Sequence, residues 1–261
     1  MASELVLSVF PGIGILDRAF EETQFCVVRG PDLLWGGDIC RFHPPAGHFT
    51  GVIGGPPCQR FSRLRHMILQ RYGPAARAAD LIPEFERVVA EAQPAWFLME
   101  NVPAAPIPQV PGYTVTSLLL NNRWVGGIQH RERRFSFGVP GLVAVALLPY
   151  LDLAVLEAPE FARGVLASGN RTGPTIRLDR QGRPRRKIGG DVASRQTVAE
   201  AARLQGLPET FFQDSPLTVA GNKRCWAMAC PCRWAARWPR RCGRHCRRTR
   251  RRVPNARHPL R

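Results

Sequence analysis

The 261-residue chain has no apolar run that approaches the ~18–20 residues of a membrane-spanning helix. Its first ten residues, Met1 to Phe10, lack the positive n-region of a signal peptide and read instead as a strand. The expectation is a cytoplasmic protein with reduced thiols and no membrane partner. Acid is missing from one end of the chain. Residues 223–261 hold 14 of the 37 Lys+Arg and none of the 20 Asp+Glu. The formal charge of +17 is therefore concentrated there, and residues 1–222 carry 23 basic against 20 acidic side chains, a net +3. That is mildly basic and does not by itself establish a nucleic-acid partner. The same tail holds five of the eight cysteines but no C-x2-C pair. Cys225, Cys230, Cys232, Cys242, His245 and Cys246 run C-x4-C-x-C and C-x2-H-C, which argues against a zinc ribbon, and no metal is expected. With 44% hydrophobic residues, the chain can build one large domain, or a large and a small one.

The stretch that organises the chain is Gly54-Gly55-Pro56-Pro57-Cys58-Gln59-Arg60-Phe61-Ser62, after the short β-branched run Val52-Ile53. Two glycines and two prolines stop regular structure and present a cysteine on a stiff turn past a strand end. In an open α/β sheet that edge is where ligands bind. Rigidity that fixes a sulfur suits a nucleophile; taken alone, Cys58 could equally be a small buried hydrophobe.

Other stretches share this logic. Glu4 to Phe10 is a strand-like run ending in Pro11-Gly12-Ile13-Gly14, and Ile15, Leu16, Ala19 and Phe20 then recur at helical spacing. Strand, glycine turn and helix form a nucleotide-binding unit, although a lone G-x-G also makes a plain tight turn. Cys26-Val27-Val28 reads as a second strand, followed by Asp32 and then Gly37-Asp38-Ile39. An acid after the second strand commonly holds ribose hydroxyls, and a solvated loop acid is the bland alternative for Asp32. Arg60, Arg63, Arg65, His66, Arg71 and Arg77 lie on an acid-poor segment that either closes on phosphates or is a solvated face. Ile82, Phe85, Val88, Val89 and Ala92 make one helical stripe. Ala95 to Met99 is a continuous apolar run, a central buried strand, and it ends in Glu100-Asn101-Val102. Burial would raise the Glu100 pKa so that it can donate a proton near neutrality; its plain alternative is a helix cap. Tyr113 to Leu120 is a further strand. Gln129, Arg131 and Arg133 precede the strand Phe135-Ser136-Phe137 and would share one face if extended, as a surface salt-bridge patch or an anion site.

Together, F-x-G-x-G, G-D-I, G-G-P-P-C-Q-x-F-S, E-N-V and Q-x-R-x-R resemble, in content and order, the motifs of the DNA (cytosine-5) methyltransferases over roughly residues 4–224. The resemblance implies an α/β fold: a Rossmann-like S-adenosylmethionine-dependent sheet with helices on both faces, plus a small target-recognition region. It divides the chain into a catalytic domain at 1–138, a recognition region and scaffold helix at 139–222, and a basic tail at 223–261. Cys58 would attack C6 of a cytosine rotated out of the duplex, Glu100 would act at N3, and Gln129, Arg131 and Arg133 would complete the catalytic set. Arg131 and Arg133 would supply the positive charge that favours the Cys58 thiolate. S-adenosylmethionine would be held by Phe10, Pro11, Gly12, Ile13, Gly14, Asp32, Asp38, Ile39 and Pro57, with Asp38 on the adenine amino group. Gln59, Ser62, Arg63, Arg177, Arg183, Arg185, Arg186, Lys187, Arg195 and Gln196 would face double-stranded DNA. A monomer is expected, and a cognate restriction endonuclease is a partner that the family's restriction-modification setting allows. Residues 194–212, with Thr197 and Glu200 as a capping box, resemble a motif that scaffolds the recognition region. An RNA cytosine methyltransferase of the same fold, and an impaired remnant that only binds DNA, are the rival readings.

The tail departs from the family. After Gly221-Asn222-Lys223-Arg224 a G-N-x-V-P motif is expected, and Cys225-Trp226-Ala227-Met228-Ala229-Cys230 stands there instead. Reverse translation with GC-rich codons, read two nucleotides later, allows Val-Leu-Gly-Asn-Gly-Val-Pro. Residues after about Arg224 are therefore read as frameshift-derived, and as a disordered basic arm.

Overall fold

Among the described residues, short β-branched and aromatic runs separated by glycine and proline turns give six strands in one sheet. In a computed structural model of the chain these are β1 (Leu5–Val9), β2 (Cys26–Arg29), β3 (Gly51–Gly54), β4 (Trp96–Asn101), β5 (Tyr113–Asn121) and β6 (Glu132–Pro140). The residues described are 4–62, 69–70, 73, 78–125, 127, 130–142, 144–147, 199, 202–203 and 207–211. The sheet order is β2-β1-β3-β4-β6-β5. The first four strands pair in parallel, while β6 runs antiparallel to both β4 and β5.

Alternation along the strands builds two cores. On one face Val6, Ile53, Trp96 and Leu98 meet Phe20 of helix α1 (Ile15–Glu21). On the other, Leu7, Val9, Val52, Phe97 and Met99 meet Ile82, Phe85, Val88, Val89 and Ala92 of helix α2 (Ile82–Ala92). All five α2 residues of the expected stripe are buried. An isolated helix of eleven residues is marginal in water. Burying its four larger stripe side chains, at about 1.5–3 kcal/mol each, is what holds it. Helices thus cover both faces, the α/β arrangement expected. Strand β6 is longer than Phe135–Phe137, because its antiparallel ladder with β5 runs from Asn121↔Glu132 to Tyr113↔Pro140.

The chain order fixes where a ligand can sit. After β1 the chain crosses to β2 on one side, and then to β3 on the other. The carboxyl ends of β1 and β3 therefore diverge and leave a crevice, the topological switch point of an open sheet. The Phe10–Gly14 loop and the Gly55–Cys58 loop leave from those two ends. Among the described residues no helix is long and apolar enough to cross a membrane.

Candidate active site

Three strand ends build the site. Past β1, Phe10 turns into the left-handed region (φ 55°), followed by Gly12 (φ 55°) and Gly14 (φ 77°), which is also the N-cap of α1. Gly14 N donates to Pro11 O at 2.8 Å and closes the turn. Past β2, Asp32 Oδ1 accepts from Leu34 N at 2.7 Å and Oδ2 from Gly12 N at 2.9 Å. Past β3, a Cβ on Gly54 would stand 2.6 Å from Val9 O, so only glycine lets β3 pass β1 this closely. The Cys58 carbonyl then accepts from Phe61 N at 3.0 Å and Ser62 N at 2.9 Å, which fixes the cysteine in a helical turn.

These loops enclose a cavity of about 400 Å³, a size suited to a small organic ligand. Phe10, Pro11, Gly12 and Ile13 form one wall, Asp32, Leu33 and Leu34 a second, and Pro56, Pro57, Cys58 and Gln59 a third. Ser8 also lines it. Beneath it lies Asp17 of α1, fully buried, accepting from Ser8 Oγ and, at 3.0 Å, from Arg29 Nε. Burial raises the Asp17 pKa against the pull of these partners. Asp38 and Ile39 are placed elsewhere. The Asp38 carboxylate caps the turn Ile39–Arg41 by accepting from Cys40 N, and Ile39 is buried in the core beneath α2.

Glu100 stands behind the cysteine loop at the end of β4. A Cβ on Gly55 would lie 3.4 Å from Glu100 Oε2. Arg133 Nε lies 2.9 Å from Glu100 Oε1, with only 13% and 8% of the two side chains exposed. Asn101 Nδ2 donates to Pro56 O at 3.1 Å, so the next residue of β4 ties the cysteine loop to the same strand. Burial raises the Glu100 pKa, while Arg133 and Arg131 lower it in part. The Cys58 thiol is also raised, first by burial and then by the Glu100 charge, with Arg133 and Arg131 opposing. The two arginines therefore act in the expected direction, but burial and Glu100 outweigh them, and the thiol is held protonated. Cysteine, carboxyl and two guanidinium groups form one electrostatic unit.

Of the described residues of the expected Q-x-R-x-R face, Arg133 lies on β6 and Arg131 just before it. Arg131 is one residue earlier, its carbonyl accepting from Asn122 N at 2.9 Å across the β5–β6 connection, and its side chain is buried. Gln59 is exposed at the cavity rim and Ser62 is half-buried. Gln129, Arg63, Arg177, Arg183, Arg185, Arg186, Lys187, Arg195 and Gln196 lie outside the described residues, as does the tail from 223. Sequence reasoning quoted Asn101 within E-N-V without giving it a task. It passed over Trp35, whose Nε1 donates to Gly12 O at 2.7 Å. A tryptophan directly before Gly36-Gly37, ending the short apolar run Leu33-Leu34-Trp35, was the available signal.

Residues 39–106 match the family model of C-5 cytosine-specific DNA methylases. The chain is 30% identical over 129 residues to the type II methyltransferase M.HindV of Haemophilus influenzae, covering 45% of this chain and 40% of that protein. It is 32% identical over 127 residues to M.AquIA of a Picosynechococcus, covering 49% and 46%. It is 44% identical over 138 residues to the DNA (cytosine-5-)-methyltransferase M.ApeKI of Aeropyrum pernix, covering 40% and 29%. The matched segments thus span less than half the length of these relatives. Among solved structures, the Dnmt2 methyltransferase of S. pombe superposes with a TM-score of 0.58 at 16% identity, covering 90% of this chain and 96% of that one. The Entamoeba histolytica methyltransferase EhMeth gives 0.57 at 14%, covering 91% and 97%. At these identities the likeness is one of fold.

Proposed function

We propose that this chain, whose residues 39–106 match the C-5 cytosine-specific DNA methylases, is a member of that family and transfers a methyl group from S-adenosylmethionine to C5 of cytosine in double-stranded DNA. The observation that carries the reading is the meeting of Cys58 with Glu100, Arg131 and Arg133 at the edge of the cavity between β1 and β3.

The cavity wall fits the cofactor. Phe10, Pro11, Ile13, Leu33 and Leu34 offer hydrocarbon to a purine, and Asp32 keeps lone pairs for hydroxyl groups. At Gly12 a Cβ would meet nothing within 4 Å, so the loop faces open space. Bound there, S-adenosylmethionine supplies an electrophilic methyl group beside Cys58.

The chain's own residues do the rest. A cytosine must leave the stack for its C6 to reach a sulfur set behind two prolines. Glu100, whose pKa is raised by burial, supplies a proton to N3 and withdraws electron density from the ring. A proton held between Glu100 and N3 lessens the repulsion of the Cys58 thiolate by the carboxylate, and Arg133 and Arg131 then favour the thiolate. Thiolate attack forms the S–C6 bond and makes C5 nucleophilic. After C5 is methylated, loss of its proton to a base breaks the S–C6 bond and returns the cysteine. Arg131 and Arg133 hold Glu100 in place and balance its charge. Asp38, whose Oδ1 caps the turn after it, is kept for the adenine amino group, and Asp32 for the ribose hydroxyls. Gln59, Ser62, Arg63 and the basic residues between 177 and 196 are assigned to the DNA, and a partner nuclease accords with the type II relatives.

Cys58→Ser tests this. The variant should lose transfer of labelled methyl to duplex DNA and still bind S-adenosylhomocysteine with unchanged affinity. Transfer at the unaltered rate would remove Cys58 from the mechanism.

A further inference from the structure

Both backbone hydrogen-bonding groups of Gly12 are engaged by one short turn. The N–H donates to Asp32 Oδ2 at 2.9 Å, and the carbonyl accepts from Trp35 Nε1 at 2.7 Å. The turn itself is held: Asp32 caps Leu33–Trp35 through Leu34 N, and Gly36 closes it at φ 80°. The loop it grips is one that a chain adopts reluctantly, since Phe10, Gly12 and Gly14 all lie in the left-handed region. Trp35 is 56% exposed, so packing is not what places its ring. Its directional contact is the bond to Gly12, and the two neighbours before it, Leu33 and Leu34, form a wall of the same cavity.

We propose that Trp35 is a positioning residue for the cofactor cavity: its indole N–H fixes the Gly12 carbonyl and so sets the separation between the glycine-loop wall and the Leu33–Leu34 wall. The inference rests on reading that cavity as the S-adenosylmethionine site. It goes further by assigning the gap between two walls to a residue that does not line the cavity. With the bond in place both walls are pre-ordered, and the ligand binds without ordering them. With the bond gone, binding must include that ordering, and affinity falls while chemistry on the saturated enzyme changes little.

The experiment is calorimetric titration of the full chain with S-adenosylhomocysteine. Trp35→Phe keeps an aromatic ring and loses the N–H. Its Kd should rise roughly five- to tenfold, the size of one lost hydrogen bond. Trp124→Phe, equally a half-exposed tryptophan but on the turn after β5, should leave Kd unchanged. In transfer assays Trp35→Phe should raise KM for S-adenosylmethionine more than it lowers kcat. An unchanged Kd in Trp35→Phe, or an equal loss in Trp124→Phe, overturns the proposal. A second measurement needs no variant to fold. In the unaltered chain the Trp35 indole N–H should exchange with solvent more slowly than free indole, and exchange at the free rate overturns the proposal. If the unaltered chain binds no S-adenosylhomocysteine, the cofactor reading fails and this one with it. If it binds and Trp35→Phe binds equally, only the Trp35 assignment fails.

Discussion

Cys58 and Glu100 each determine where the other's proton sits. Burial raises the Glu100 pKa, and the negative charge of its carboxylate helps to raise Cys58 above the ordinary thiol value of 9.0. The sign of this coupling is testable. Glu100→Gln removes the charge that repels the thiolate and leaves Arg131 and Arg133 unopposed, so the Cys58 pKa should fall. Each unit of fall gives about tenfold more thiolate at a pH below both values. Alkylation by iodoacetamide, followed at the Cys58 peptide by mass spectrometry, should therefore be several-fold faster at pH 7.5 in the variant. In the unaltered chain it should keep climbing with pH beyond 9.0. Methyl transfer by Glu100→Gln should be lost, because an amide cannot supply the proton at N3. Slower or unchanged alkylation would show that the two groups are not coupled. Reading out single peptides is necessary, since Cys26 and Cys40 are exposed and will also react.

At the level of elements, the site exists because parallel strands end together and loops are tied across them. Asn101, last residue of β4, donates through Nδ2 to Pro56 O in a buried bond and accepts through Oδ1 from Val102 N in a part-buried one. Asn101→Ala would orphan the Pro56 carbonyl and should cost about 1–3 kcal/mol in urea unfolding, with the slope unchanged. Because the cysteine loop is freed at one end, kcat should fall further than the cofactor KM rises. Unchanged stability would mean that the bond contributes nothing. The elements themselves were legible in the sequence. Glycine and proline punctuation marked the strand ends, and the Ile82-to-Ala92 stripe marked the helix and its buried face. The ties between elements were not. Asn101 and Pro56 are 45 residues apart, and Trp35 reaches a carbonyl 23 residues earlier. Local periodicity carries no information on such bonds. Asp38 shows the same limit: G-D-I marked an acid without showing that its Oδ1 caps the adjacent turn, while Asp32, the weaker reading, lines the cavity. Arg131, expected to share a face with Arg133 if the segment were extended, stands at the connection just before β6.

Across the whole molecule, charge and chemistry are separated along the chain. The groups placed around the cavity all lie before residue 134, within a stretch that is nearly balanced in charge, whereas the net +17 comes mostly from residues 223–261. Two kinds of DNA affinity are therefore expected, and salt distinguishes them. Phosphate contacts by arginine release counterions, and log K falls with log salt by a slope of roughly −0.9 for each phosphate neutralised on duplex DNA. The tail carries 14 basic residues without one acid. Ending the chain after Asn222 would lower the net charge to +3 and remove no residue assigned to the cavity. The truncated chain should bind random-sequence duplex far more weakly at low salt, with a slope shallower by several units in fluorescence anisotropy titrations. Its Cys58 alkylation rate should stay unchanged, since that depends on Glu100, Arg131 and Arg133. A slope that survives truncation would move the phosphate contacts to Arg60, Arg63 and the basic stretch between 177 and 187. A changed Cys58 rate would instead place the tail against the catalytic face, and would count against reading it as an arm added by a shift of frame.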